Sequence, residues 1–74
     1  MPNDQFEDVI QRELSSLRCL AAFLLPNANA VGDVVQLTVI RAHEQWGEFK
    51  VDSEPGPWLR TILRFMIKTE LKQQ

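Results

Sequence analysis

The sequence predicts an all-α fold, a small three-helix bundle made by a single domain of 74 residues. Apolar residues recur at three- and four-residue steps in three separate segments, which is the spacing of amphipathic helices. Proline and glycine break this pattern twice, at Pro26 and at Pro55-Gly56-Pro57. A chain of this length is near the lower limit for one core, and its lone cysteine, Cys19, cannot form an internal disulfide. The helices themselves must therefore supply the core.

The first helix is predicted from a cap at Asn3 or Asp4 to an end near Leu25. Pro26 cannot continue a helix, and it disfavours helical angles at the residue before it. We expect Cys19 to be half-buried against neighbouring side chains. The predicted apolar surface consists of Phe6, Val9, Ile10, Leu14, Leu17, Leu20, Ala21 and Leu24.

The second helix is predicted from an N-cap at Asn29 to Gly47, which suits the left-handed conformation at a helix end. Asp33 lies near its start, where a negative charge is favoured by the helix dipole. Projected at about 100° per residue, one side of this helix forms the expected core face. That face consists of Val31, Val35, Thr38, Ala42, Trp46 and Phe49, flanked by Val39.

The third helix is predicted to have Pro57 in its first turn and to run from Trp58 towards the chain end. Residues 48–57 form the expected loop, with Phe49 packed on the core. No C-cap residue follows the helix, so we expect the chain to be a fragment of a longer protein. The predicted apolar surface is Trp58, Leu59, Ile62, Leu63, Phe65, Met66, Ile67 and Leu71.

Composition and motifs argue against several functional classes. The start of the chain lacks the pattern of a signal peptide, and no apolar run approaches the roughly 20 residues of a membrane span, so we expect a cytoplasmic protein. There is no phosphate-binding glycine loop, no nucleophile–base constellation and no zinc-ligand spacing. We therefore expect no catalytic residue, no metal and no cofactor.

The second helix carries an unexpected apolar pair on its outer side. Leu37 and Ile40 lie opposite the core face, within a polar frame of Asp33, Gln36 and Glu44, and His43 is at the edge. Single exposed aliphatic side chains are ordinary. A pair spaced i and i+3 also has the form of anchors for a partner helix. Both interpretations stay open.

The third helix carries a positive stripe. Residues 1–57 hold four basic and nine acidic residues, whereas residues 58–74 hold four basic and one acidic. Basic side chains at four-residue spacing can follow a phosphate backbone, although such a face is commonly just solvated. Trp58 could stack on a base or fill the core. The stripe consists of Arg60, Arg64, Lys68 and Lys72.

An ordered set of residues resembles the second conserved region of bacterial RNA polymerase sigma factors of the extracytoplasmic-function group. That family pattern reads roughly E-D-L-V-Q-E-x-F-L-R-A-W, a loop, then F-x-x-W-L-x-x-I-A-R-N. The match covers residues 30–72, and the first helix is compatible by length and pattern. The corresponding residues here are Gly32-Asp33-Val34-Val35-Gln36, Ile40-Arg41-Ala42, Phe49, Trp58-Leu59 and Ile62-Leu63-Arg64.

The resemblance implies two partners and a residue set for each. The family docks on the clamp coiled coil of the polymerase β′ subunit, which implies a core-binding set of Asp33, Gln36, Leu37, Ile40 and His43. It also binds and melts the minus-ten promoter element, which implies a DNA-binding set of Lys50, Trp58, Thr61, Arg64 and Lys68. An anti-sigma factor is a further implied partner, and the family's second, helix-turn-helix domain is not part of this chain.

The chain departs from the family pattern at three positions. Leu37 stands in place of a glutamate, His43 in place of a tryptophan, and Phe65 in place of an asparagine. The last change removes a polar group near the DNA-facing surface, and Asp52 and Glu54 make the loop acidic. The alternative function, from another class, is a non-enzymatic helical interaction or dimerisation module that uses the Leu37 and Ile40 face on itself.

Overall fold

The computed structural model describes the backbone of residues 2–48 and 54–72, and the side chains of residues 5–48 and 54–72. It contains three α-helices, α1 (Pro2–Leu24), α2 (Asn29–Gln45) and α3 (Pro55–Lys72), and a 3-10 turn at Trp46–Glu48. Each α-helix contacts both of the others, and the described residues include no strand. This architecture confirms the predicted all-α three-helix bundle.

The break between α1 and α2 follows the prediction, but the caps do not. α1 ends at Leu24, and the N–H of Leu25 still donates to the carbonyl of Ala21 at 2.9 Å. The prediction that Asn3 or Asp4 caps α1 is wrong, because the helix begins at Pro2. A proline suits a first helical position because its missing N–H would have no partner there.

The start of α2 is organised by a residue outside the helix. Asn29 was expected to be the N-cap, but it is the first helical residue; Ala28 is at the cap position and makes no side-chain cap bond. The side chain of Asn27 instead accepts a hydrogen bond from the N–H of Asn29 at 3.0 Å. Asparagine commonly bonds to the backbone two residues ahead in such turns.

The end of α2 also differs from the prediction. The helix tightens into the 3-10 turn, and the N–H of Trp46 donates to the carbonyl of His43. This bond closes the last turn, so a left-handed residue is not needed. Gly47 was expected to be left-handed, which is wrong: no glycine within the described ranges has a positive φ. The expected contact of Phe49 lies outside the described residues.

α3 begins three residues before Trp58, where the sequence pattern placed its start. Pro55 is its first residue, and Pro57 is still within the first turn. Gly56 is buried, and a Cβ built on it would lie 3.0 Å from Glu13 Oε1 and 3.3 Å from Arg60 Nη1. The start of α3 therefore lies directly against the side chain of Glu13 on α1.

The core is formed by apolar side chains from all three helices. Leu17, Val34, Leu59 and Leu63 are fully buried within it. Val34 and Ala30 were not on the predicted core face. Because α2 packs against both α1 and α3, it buries a wider stripe than a helix with one neighbour. The buried set is Phe6, Val9, Leu17, Ala21, Leu25, Ala30, Val34, Val35, Ala42, Leu59, Ile62, Leu63 and Ile67.

Some apolar residues assigned to the bundle interior are on the surface instead. Leu24, Phe65 and Leu71 are 39%, 58% and 42% exposed. Phe65 points about 160° around α3 from the fully buried Leu63, so its ring faces away from that part of the core. Cys19 was expected to be half-buried, and it is exposed.

Candidate functional site

The outer face of α2 carries the two aliphatic side chains that the sequence marks as unusual. Leu37 and Ile40 are each 50% exposed. Their exposed polar neighbours on the same side are Asp33, Gln36, His43 and Glu44. We call this set of six residues the α2 face. All five residues predicted to bind the polymerase core lie on it.

The opposite side of α2 is held firmly in the bundle. Thr38 is fully buried, and its hydroxyl donates a hydrogen bond to the carbonyl of Val34 at 2.8 Å. The buried polar atom therefore has its partner within the helix itself. Val35 and Ala42 are buried alongside it, which orients the α2 face outward.

His43 connects the α2 face to α1. Its ring packs edge-on against Phe6, with ring centroids 5.2 Å apart and planes at 71°. A cleft of about 410 Å³ opens beside this contact, lined by Phe6, Glu7, Ile10, Gln11, Val39 and His43. Sequence reasoning placed His43 at the edge of the face but did not find its aromatic partner, which lies 37 positions away in the chain.

An ion pair borders the α2 face. Arg41 Nη1 lies 3.9 Å from Glu44 Oε1, and the two side chains are 50% and 62% exposed. Pairs this open to solvent contribute little to stability. The pair therefore contributes little to the stability of the fold.

The basic residues of α3 differ in their exposure to solvent. Arg64, Lys68 and Lys72 are exposed, whereas Arg60 is half-buried beside Gly56. The exposed stripe is therefore three residues long, and it spans roughly 12 Å at a rise of about 1.5 Å per residue. We call these three residues the α3 stripe.

The hydroxyl of Thr61, a predicted DNA-binding group, is engaged with its own helix. Thr61 is exposed, and its hydroxyl donates to the carbonyl of Pro57 at 3.0 Å. Thr69 does the same with the carbonyl of Phe65 at 3.0 Å. In this arrangement each hydroxyl oxygen keeps only its acceptor capacity for a ligand.

Trp58 and Lys50 complete the predicted DNA-binding set. Trp58 is half-buried and packs against the core, with its ring centroid 6.0 Å from that of Trp46. This position agrees with the core-filling interpretation, and the residue as a whole is partly exposed. Lys50 lies outside the described residues. The structure thus brings Thr61, Arg64 and Lys68 together on one exposed side of α3.

A comparison of sequences identifies the family to which this chain belongs. The sequence model of the Sigma-70 region 2 family matches residues 9–74. The chain belongs to the Sigma-70 region 2 family. It is also 34% identical over 71 residues to the ECF RNA polymerase sigma factor EcfG of Rhodopseudomonas palustris strain TIE-1. That alignment covers 96% of this chain and 39% of the relative, and no solved structure matches the chain.

Membership of the Sigma-70 region 2 family confirms the predicted resemblance for most of the chain. The match starts at residue 9, within α1, and so includes more than the motifs from which the resemblance was inferred. The α2 face and the α3 stripe both lie inside the matched residues.

Across residues 5–48 and 54–72, no three or more His, Cys, Asp or Glu side chains converge as a metal site would require. None of the helices in the described part of the chain combines the length and the apolar character needed to cross a bilayer.

A groove that the sequence did not predict lies where α3 passes the end of α1. It has a volume of about 450 Å³ and is lined by Leu24, Arg64, Phe65, Ile67, Lys68 and Leu71. Apolar side chains form most of its lining, and Arg64 and Lys68 place two positive charges on it. The sequence feature that could have indicated this groove is Phe65, which stands in place of the asparagine of the family pattern.

Proposed function

We propose that this region 2 domain acts in transcription initiation, in the cytoplasm, as the part of a sigma factor that docks on the RNA polymerase core. The docking surface in this proposal is the α2 face, and the partner is the clamp coiled coil of the β′ subunit. The observation that carries the proposal is the half exposure of Leu37 and Ile40 on a helix whose other side is buried.

The geometry of the α2 face suits a helical partner. Two aliphatic anchors at i and i+3 can enter a groove between the helices of a coiled coil, and the surrounding polar residues can remain hydrated at the rim. Asp33 and Gln36 lie on the N-terminal side of the anchors and His43 on the C-terminal side. Each has a polar group able to form hydrogen bonds at the edge of such a contact.

We further propose that α3 binds and melts the minus-ten promoter element. Arg64 and Lys68 are exposed cations that can contact phosphates, which supplies salt-dependent affinity. Thr61 offers an acceptor beside them, and the half-buried Trp58 lies near the start of the helix. Lys50 stays a member of the proposed set on the family resemblance.

A binding experiment tests whether the α2 face docks on the β′ clamp coiled coil. The purified chain and the variant Leu37→Asp/Ile40→Asp are compared for retention on immobilised β′ clamp coiled coil. The control is Phe23→Asp, which places one negative charge on a side chain that is 85% exposed elsewhere on the bundle. We expect the double variant to lose binding and the control to keep it. Equal retention of the double variant and the parent would show that the α2 face is not the docking surface.

The alternative function uses the same two aliphatic side chains for self-association. Sedimentation at increasing protein concentration separates the two proposals. A monomer that binds the coiled coil supports polymerase docking. A tight homodimer that Leu37→Asp/Ile40→Asp dissociates supports the dimerisation module. An anti-sigma factor remains a predicted partner with no surface assigned to it.

A further inference from the structure

We propose that the cleft between α1 and α2 is a second subsite of the docking surface, and that it binds a basic side chain, arginine or lysine, of the partner. The inference rests on the proposed docking of the α2 face and extends that surface onto α1. It assigns a binding role to Glu7, which is outside the core-binding set that the family resemblance implies.

The cleft is continuous with the α2 face. His43 belongs to both, because it is a member of the α2 face and also lines the cleft. It lies three positions after Ile40, and residues at that spacing are neighbours on a helix surface. A partner that covers Ile40 and reaches His43 is therefore at the mouth of the cleft.

The walls of the cleft are apolar and are held by the core. Phe6 is 5% exposed, and Ile10 and Val39 are partly buried against the core cluster. The volume of about 410 Å³ is comparable with that of sites for small ligands, so one long side chain fits within it. The stems of arginine and lysine are aliphatic and commonly lie along apolar surface while the charged end stays in water.

The polar groups at the cleft favour a cation. Glu7 carries the one carboxylate among the lining residues, and Gln11 and neutral His43 each have an atom that can accept a hydrogen bond. No residue three or four positions from Glu7 in the sequence is basic, so α1 supplies no cation at the usual pairing positions. An arginine or lysine of the partner would bring both the opposite charge and several hydrogen-bond donors.

The cleft depends on residues that are particular to this chain. Phe6 and Glu7 precede residues 9–74, which are the part that the family model matches. His43 stands where the family pattern has a tryptophan, and its imidazole leaves more space beside Phe6 than the larger indole would. The subsite is therefore expected in this chain and not in every chain that fits the pattern.

Other occupants fit these groups less well. An anion would meet the carboxylate of Glu7, and an apolar ligand would gain nothing from Glu7 or Gln11. A second copy of the chain could offer the exposed Arg41, but that guanidinium already lies 3.9 Å from Glu44 on its own helix. A basic side chain of the docking partner uses both the apolar walls and the carboxylate.

Calorimetric titration of the β′ clamp coiled coil tests the proposal. The parent is compared with Glu7→Gln and with the matched control Asp8→Asn, since each variant removes one exposed carboxylate from the start of α1. Asp8 is turned about 100° around α1 from Glu7 and is not among the cleft residues. Circular dichroism establishes that each variant is folded, and sedimentation measures its oligomeric state.

Loss of the charge at Glu7 should weaken binding about threefold to tenfold, which is between the effects of an open and a fully desolvated charge pair. The difference from the parent should shrink as salt is raised, because salt screens a charge pair at the edge of an interface. Asp8→Asn should bind within about twofold of the parent. Equal weakening by Glu7→Gln and Asp8→Asn would overturn the proposal.

A double-mutant cycle identifies the basic side chain. Each arginine and lysine of the coiled coil is replaced by alanine in turn, and each product is titrated with the parent and with Glu7→Gln. We expect one basic residue whose replacement weakens binding to the parent but has little further effect on Glu7→Gln, because the two residues contact each other. Additive effects at every basic position would also overturn the proposal.

The outcomes separate this inference from the function on which it rests. If the parent does not bind the coiled coil, the proposed docking fails and the inference fails with it. If Leu37→Asp/Ile40→Asp loses binding while Glu7→Gln and Asp8→Asn bind alike, the α2 face stands as the docking surface and the cleft is overturned as a subsite. A homodimer that Glu7→Gln dissociates would give the cleft to a second copy of the chain, which also overturns the proposal.

Discussion

The rings of Phe6 and Trp46 pack edge to face, with centroids 5.3 Å apart and planes at 65°. Trp46 in turn lies 6.0 Å from Trp58, between ring centroids. This aromatic chain connects the start of α1, the turn after α2 and the first turns of α3. The helix that carries the α2 face and the helix that carries the α3 stripe are therefore held together by one cluster.

We expect Phe6→Ala to destabilise the domain strongly. Phe6 is 5% exposed and contacts both His43 and Trp46, so its removal leaves a cavity beneath two other rings. The expected loss is about 3–5 kcal/mol in the free energy of unfolding, which is a large share for a domain of this size. Urea unfolding followed by circular dichroism measures it. The control Phe6→Leu should lose much less, and equal stability of Phe6→Ala and the parent would contradict the packing.

Gly32→Ala should stabilise the domain. Gly32 is inside α2, its φ is not positive, and a Cβ built on it meets no atom within 4 Å. Replacing glycine by alanine at such a position gains about 0.5–1 kcal/mol, since the unfolded chain loses conformational freedom. Thermal unfolding should show a higher midpoint, and a lower one would mean that the backbone at Gly32 is not helical.

Gly47→Ala tests the turn after α2 in the same way. The structure gives Gly47 a negative φ with open space around its Cβ position, so alanine should be tolerated without loss of stability. If the glycine were left-handed, as the sequence pattern suggested, alanine would cost about 1 kcal/mol. Chemical unfolding of the two proteins side by side distinguishes these cases.

Removing a cation of the α3 stripe should reduce the salt dependence of DNA binding. Arg64→Ala and Lys68→Ala each delete one exposed positive charge, so each should lower the slope of log affinity against log salt by about 0.7 for a single strand. The loss should be similar across base sequences. Arg41→Ala is the control, since it removes an exposed cation from α2. An unchanged slope for Arg64→Ala and Lys68→Ala would remove both residues from the DNA-binding set.

The fold was predictable from the sequence because its main determinants are local. Helical periodicity and the covalent geometry of Pro26 gave the three helices and the first turn, and the end of α1 falls within one residue of the prediction. The caps were not predictable, because several polar residues near each helix start could serve. The side chain of Asn27 acts at α2, where Asn29 was expected to cap.

The parts of the candidate site that one helix forms alone were predictable from the sequence. The parts that lie between two helices were not. Leu37 and Ile40 followed from periodicity within α2, and both are exposed as expected. Three other features depend on how the helices are placed relative to one another. They are the burial of Val34, the contact of His43 with Phe6 and the groove beside Phe65. No spacing within a single segment contains that information.

We propose that the two surfaces have different partners, the polymerase core for the α2 face and DNA for the α3 stripe. The most direct measurement is a calorimetric titration of the β′ clamp coiled coil with two double variants, Leu37→Asp/Ile40→Asp and Arg64→Ala/Lys68→Ala. Loss of two apolar anchors should weaken binding by more than about tenfold, while the Arg64→Ala/Lys68→Ala variant should bind like the parent. Equal weakening by both variants, or weakening by the α3 variant alone, would contradict this assignment of the two surfaces.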